Sequence, residues 1–256
     1  WLRQHKGQQL SQRYWSLFDN HVNKDKATFA NGDNSHLVVL DVAEDPARVV
    51  YYWDTGDKSK IYGSCDVTPA GNVLGTSWPD RVDPNQPDKQ YQVNLWEVTP
   101  DYQIAWRMGF KGKNPFTPSD TSSPYIHTTT EQDEAPIGWV IYDAERVYPA
   151  PTYSIPCRVD GGDAISFMAF NSIRTQVGLP GRAYVVQDQT PVQSTDFNFQ
   201  KAHLPTTVQL STEGVTGDFI LVVVNYWGQS KANTIQLDAL PLCSAMPPSG
   251  RMFFDQ

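Results

Sequence analysis

The sequence predicts an all-β fold. Period-2 alternation of apolar and polar residues dominates the 256 residues, and 3.6-residue helical patterning is nearly absent. The apolar runs are short, rich in Val, Tyr, Trp and Ile, and separated by turn residues. A two-hairpin pattern also recurs along the first half of the chain.

In chain order, the first half offers strands at Tyr14–Phe18, His36–Asp41, Val49–Trp53, Gly63–Thr68, Val73–Ser77, Gln92–Val98, Ile104–Gly109, Trp139–Asp143 and Glu145–Tyr148. Asn31-Gly32-Asp33, Pro69-Ala70-Gly71-Asn72 and Thr99-Pro100-Asp101 punctuate them as turns. The run Leu37–Trp53 reads like Val93–Trp106, with 56 residues separating Asp41 from Glu97. The strand before each copy recurs at a step of 58, Trp15-Ser-Leu-Phe18 answering Val73-Leu-Gly-Thr76. Two hairpins per unit, repeated, are the mark of four-stranded propeller blades. Residues 1–149 are therefore expected to hold two blades and the start of a third near Gly138. Propellers close with about four to eight blades. This partial β-propeller is incomplete on its own, so the expected partner is a set of missing N-terminal blades, from the same precursor or another chain. Trp1 in place of Met fits a processed or partial product.

Residues 111–136 are expected to form a long polar loop, and Tyr148-Pro-Ala-Pro151 reads as a stiff hinge. Beyond it the blade repeat stops. Strands are expected at Thr152–Val159, Ala164–Asn171, Arg182–Asp188, Thr206–Ser211, Phe219–Tyr226 and Thr234–Leu240. Six or seven strands in residues 150–245 suit an Ig-like β-sandwich. Residues 246–256 are expected to form an extended tail, whose Met252-Phe253-Phe254 offers a contact for an assembly partner.

The formal charge of −8 and the lack of a Lys/Arg-rich run argue against nucleic acid, which is held largely by phosphate neutralisation. The longest apolar run, Phe219–Val224, has strand length, so no membrane span is expected. The first and last strands of a sandwich lie close together, which makes Cys157 and Cys243 a disulfide candidate. The alternative is two separate small buried residues. Cys65 is left over, available to sequence outside this chain. The pairing favours a secreted or extracytoplasmic setting.

The five histidines show no His-x-x-x-His, and the three cysteines no Cys-x-x-Cys, so no metal site is expected. Asn31-Gly-Asp-Asn34 lacks the EF-hand ligand order and reads as a polar turn. Trp53, Trp96, Trp106, Trp139 and Trp227 are expected in the core. His127 lies in the long loop and is not assigned a role.

The informative segment is Gln4-His5, followed by a hydrophobic strand ending Leu17-Phe18-Asp19-Asn20. Val39-Leu40-Asp41-Val42, Gly63-Ser64, Pro69-Ala-Gly-Asn-Val-Leu74 and Tyr142-Asp-Ala-Glu-Arg146 then follow in order. This succession resembles the C-terminal part of the arylsulfotransferase family, in its eukaryotic type, over about residues 1–149. The resemblance implies sulfuryl transfer from a phenolic sulfate ester to a phenol without a nucleotide donor, so no cofactor is expected. It places the nucleophilic histidine at His5, which would form a transient sulfohistidine. It makes Arg146 the motif-borne cation for the sulfuryl oxygens, and Gln4 and Asn20 the substrate-side polar groups. The family continues Gln-His-Asp-Ala-Arg, whereas this chain reads Gln4-His-Lys-Gly-Gln8. Lys6 in that segment is expected to face solvent. The other reading is a non-catalytic propeller and sandwich, acting as a structural or binding component of an extracellular assembly.

Overall fold

The computed structural model describes residues 4–22, 34–79, 86–110 and 140–245. The chain is all-β, built of several antiparallel sheets, none of them closed. It divides into two compact units that part between Glu145 and Arg146. Among the described residues no helix is long and apolar enough to cross a membrane.

The first unit contains two four-stranded meanders. One joins β1 (Gln4–Gln9), β2 (Tyr14–Asp19), β3 (His36–Asp41) and β4 (Arg48–Asp54) in sequence order. The other joins β5 (Ser64–Val67), β6 (Val73–Ser77), β7 (Val93–Val98) and β8 (Ile104–Phe110) in the same way. The second and third strands of each sheet are buried along most of their length, while the fourth strands β4 and β8 are largely exposed. Burial on both faces explains why Leu37-Val-Val-Leu40 is a continuous apolar run rather than an alternating one.

The two sheets share one core of Leu10, Tyr14, Phe18, Leu37, Val39, Tyr51, Cys65, Val73, Trp96 and Val98. The approach is close. A Cβ on Gly75 of β6 would lie 2.4 Å from the Leu37 side chain of β3. At Gly63, whose φ is +113°, a Cβ would meet the Phe18 ring at 2.5 Å, so both backbone angle and space demand glycine. Ser16 Oγ donates to the Cys65 carbonyl at 2.6 Å across the sheets. Cys65 is fully buried in this core and carries a free thiol. Burial, with Asp66 adding to it, pushes its thiol pKa up.

The recurrent acidic residue has one job in both sheets. Arg13, just before β2, binds Asp41 with Nε at 2.8 Å and Nη2 at 2.5 Å. Asn72, just before β6, donates to Glu97 Oε1 at 2.7 Å. Each pair ties the entry of the second strand to the exit of the third. A register shift interrupts the pairing of the third strand with the fourth in both sheets.

The second unit has β9 (Thr152–Tyr153), β10 (Cys157–Arg158), β11 (Ala164–Phe170) and β14 (Thr206–Ser211) in one sheet. The facing sheet runs β13 (Thr190–Phe199), β12 (Leu179–Gln187), β15 (Asp218–Asn225) and β16 (Ser230–Gln236). One core lies between them, filled by Ile165 and Phe167 of β11, Val185 of β12, Val208 and Leu210 of β14, and Phe219, Leu221 and Val223 of β15. Strict alternation places these residues inward: β15 is buried at every second position. Cys157 and Cys243 are joined in a disulfide, Cα to Cα 5.0 Å, which fits an extracytoplasmic location. Beside it, Ser244 donates its N–H to Asp160 Oδ2 at 2.9 Å and its hydroxyl to Oδ1 at 2.5 Å.

Several expectations are corrected. Residues 140–148 form no strand, although alternation had suggested strands at Trp139–Asp143 and Glu145–Tyr148; alternation alone makes no ladder without a paired neighbour. Trp139, His127, the 111–136 loop and the 246–256 tail fall outside the described residues. The strand expected over Thr152–Val159 is broken at Ser154–Pro156, where proline supplies no ladder donor. Thr234–Leu240 ends its strand at Gln236 and turns as a short 3-10 segment, Leu237–Ala239. Trp227 is 46% exposed at the β15–β16 turn rather than in the core.

Candidate functional site

Among the described residues β1 pairs with β2 alone, and its ladder is interrupted between His5 and Gln8. Lys6 takes a φ of +43° there. A bulge of this kind re-aims the side chains around it. His5 lies opposite Phe18, at the end of the hairpin where β2 runs into Asn20.

Asn20 is fully buried and its amide is held from two sides. Nδ2 donates to the carbonyls of Ser59 at 2.8 Å and Tyr62 at 3.0 Å. Carbonyls only accept, so the network assigns nitrogen to that side and turns Oδ1 toward His5. Oδ1 lies 2.6 Å from His5 Nδ1. An amide oxygen only accepts, so His5 Nδ1 carries the proton of this bond. In the neutral ring, Nε2 then holds a free lone pair.

Aromatic rings surround the imidazole. Tyr62 and Tyr142 approach it edge-on, with ring centroids 6.3 Å and 6.2 Å away. Tyr62 also meets Tyr142 and the buried Trp78, both at 5.7 Å. The segment after residue 139 thus contributes to the first unit through side chains.

Lys6 does not face solvent as its sequence suggested. Its ammonium is paired with Asp66 Oδ2 at 3.0 Å and with Asp143, and only 13% of the side chain is exposed. Strand bulging turns it inward onto two carboxylates, so its charge is already matched.

Of the residues named from sequence, His5 and Asn20 are brought together. Gln4 is exposed at the start of β1, its backbone opposite Asp19. Arg146 is half-buried and is the first residue of the second unit.

Sequence spacing gave no metal site, yet strand pairing assembles a cluster with metal-ligand chemistry. Asp19, the last residue of β2, stands directly opposite His36, the first of β3. His21 follows two residues after Asp19. One ligand atom from each of the three lies within 4.8 Å of the others. Asp19 and His36 are buried and His21 is half-buried. The signal that locates the cluster is a cross-strand one, Asp-x-His at the exit of one strand and His at the entry of the next.

No family model, curated protein or solved structure matches this chain.

Proposed function

We propose that the chain is an arylsulfotransferase-like protein that moves a sulfuryl group from a phenolic sulfate ester to a phenol, with His5 as nucleophile. In this reading the first unit contributes blades of a β-propeller completed by further blades, and the second unit is an Ig-like sandwich. The observation that carries the proposal is the 2.6 Å bond from His5 Nδ1 to a locked Asn20 Oδ1. Nucleophilic catalysis by histidine needs a neutral ring with one nitrogen held and the other available. Asn20 supplies that holding bond.

The chemistry divides into two half-reactions. His5 Nε2 attacks sulfur as the ester S–O bond breaks, leaving a sulfohistidine and a phenolate. The acceptor phenol then attacks sulfur as the N–S bond breaks, His5 regains its neutral ring, and the acceptor's proton passes to solvent, from which the phenolate released in the first step takes one up. The edges of Tyr62 and Tyr142 offer walls suited to an aromatic ring on either side of the imidazole. Gln4, by resemblance, contributes a polar group on the substrate side.

One observation favours the other reading, a non-catalytic binding component. Lys6, the cation next to His5 in sequence, is matched by Asp66 and Asp143, which leaves an acidic rather than anion-attracting neighbourhood.

A chromogenic phenyl sulfate with a phenol acceptor separates the two, using the full-length protein with its complete set of blades. Turnover is expected to vanish in His5→Ala and to fall about 10²- to 10⁴-fold in Asn20→Ala, which frees the ring to change tautomer. Absence of turnover in folded full-length protein would overturn the enzyme reading.

A further inference from the structure

We infer that Asp19, His21 and His36 form a binding site for a divalent transition-metal ion of the zinc type. The donor set is two imidazoles and one carboxylate. That combination suits zinc and its first-row neighbours, and not calcium or magnesium, which take oxygen ligands.

Geometry supports it in three ways. First, two of the three donors come from a rigid source. Asp19 and His36 are register partners in the β2–β3 ladder, between two strands that are themselves the buried centre of the sheet. Second, the spacing is right for shared coordination. Ligand atoms bonded at about 2.1 Å to one ion stand about 3.0–3.4 Å apart in octahedral or tetrahedral geometry. Asp19 Oδ2 and His21 Nδ1 are 3.2 Å apart. A ligand atom of His36 lies within 4.8 Å of both. Third, the rings are oriented. His36 stacks on Tyr52 with centroids 4.2 Å apart, and His21 meets His36 edge-on at 5.3 Å. Asp19 Oδ1 also accepts the His21 backbone N–H at 3.1 Å, which fixes the turn that carries His21 back toward the carboxylate.

Three protein ligands leave a fourth position for water or for a ligand group. With neutral imidazoles and an ionised Asp19, the bound site carries one net positive charge. Neither His5 nor Asn20 supplies a donor, although Asn20 stands between Asp19 and His21 in the chain.

The test is zinc binding to the tag-free full chain at neutral pH, read by metal analysis after equilibrium dialysis and by melting temperature. One zinc per chain is expected, with a rise in melting temperature that magnesium does not produce. His21→Ala, at the half-buried ligand, is expected to keep the wild-type fold and weaken zinc affinity about 100-fold or more, while His203→Gln in the second unit leaves it unchanged. Should His36→Ala fail to fold, the cobalt-substituted protein gives a second measure: visible absorption bands of a nitrogen-and-oxygen-ligated Co(II), lost in His21→Ala. Zinc that binds equally well to His21→Ala, or leaves the wild-type melting temperature unmoved, overturns the site and leaves a hydrogen-bonded trio.

Discussion

The two four-stranded sheets of the first unit share a topology but differ at one rim. In the first sheet, Asp19 at the exit of the second strand faces His36 at the entry of the third. At the corresponding place in the second sheet, Ser77 faces Asn94. There the two residues converge on a carboxylate from the preceding connection: Ser77 Oγ donates to Asp57 Oδ2 at 2.6 Å and Asn94 Nδ2 at 2.8 Å. The same backbone frame thus buries polar groups at both rims. In the second sheet donors and acceptor satisfy one another within the chain. The first collects groups whose shared talent is ligation. A repeated scaffold can hold structure at one copy and chemistry at another, because the ladder fixes positions while the side chains remain free to diverge.

The largest effect that would sharpen this contrast is expected at Asp57. Asp57→Ala leaves the buried Ser77 hydroxyl and Asn94 amide without their acceptor, at a cost of about 2–4 kcal/mol in denaturant unfolding. His21→Ala at the other rim should cost well under that. Equal losses would break the comparison.

Next in size is the asymmetry of packing. Gly75→Ala drives a methyl into Leu37 and is expected to cost about 1–3 kcal/mol. Leu17, the residue 58 positions earlier in the first sheet, already carries a full side chain in a half-buried place. Leu17→Ala should therefore follow ordinary truncation, and a neutral Gly75→Ala would show that the two sheets can separate.

The smallest effect is the pH dependence. Burial raises the Asp57 pKa to about 6, against the pull of Ser77 and Asn94. The folded state therefore holds this proton more tightly than the unfolded chain. Its stabilisation is complete below the ordinary value of 3.8 and is lost as pH rises through about 6. Asp41 works the other way. Its bonds to Arg13 hold its carboxyl well below the usual range, so its stabilisation is present above 3.8 and declines as pH falls below that. Melting temperature should accordingly rise modestly from pH 7 to pH 5, and Asp57→Asn should flatten that rise. A slope that survives Asp57→Asn would assign it to another group.

Much of the first unit was legible because its strands bury apolar runs. His36–Asp41 and Val73–Ser77 have the bounds that their apolar runs and flanking turn residues suggest. The edge strands were less visible. β1 is Gln4-His-Lys-Gly-Gln-Gln9, too polar to register as a strand, and among the described residues only one side of its ladder is paired. β13 carries Pro191, Asp196 and few apolar residues, which an edge position tolerates. The turn before it, Asp188-Gln189, adopts positive φ without glycine, so the usual hairpin signal is missing. His5 was readable from its motif, but its Asn20 partner geometry depends on Ser59 and Tyr62, some forty residues away in sequence from Asn20. The Asp19–His21–His36 cluster escaped because its spacing is set by cross-strand register, which linear motifs do not encode.

The Cys157–Cys243 link has a mechanical consequence. Tension entering the second unit at Arg146 and leaving beyond Ser244 would pass from Cys157 to Cys243 through a covalent bond, whose two ends are 86 positions apart in sequence. The intervening strands would bear none of that load. Pulled end to end, β11 to β16 would be shielded behind the sulfur link, while β9, which precedes Cys157, would lie in the path of the load.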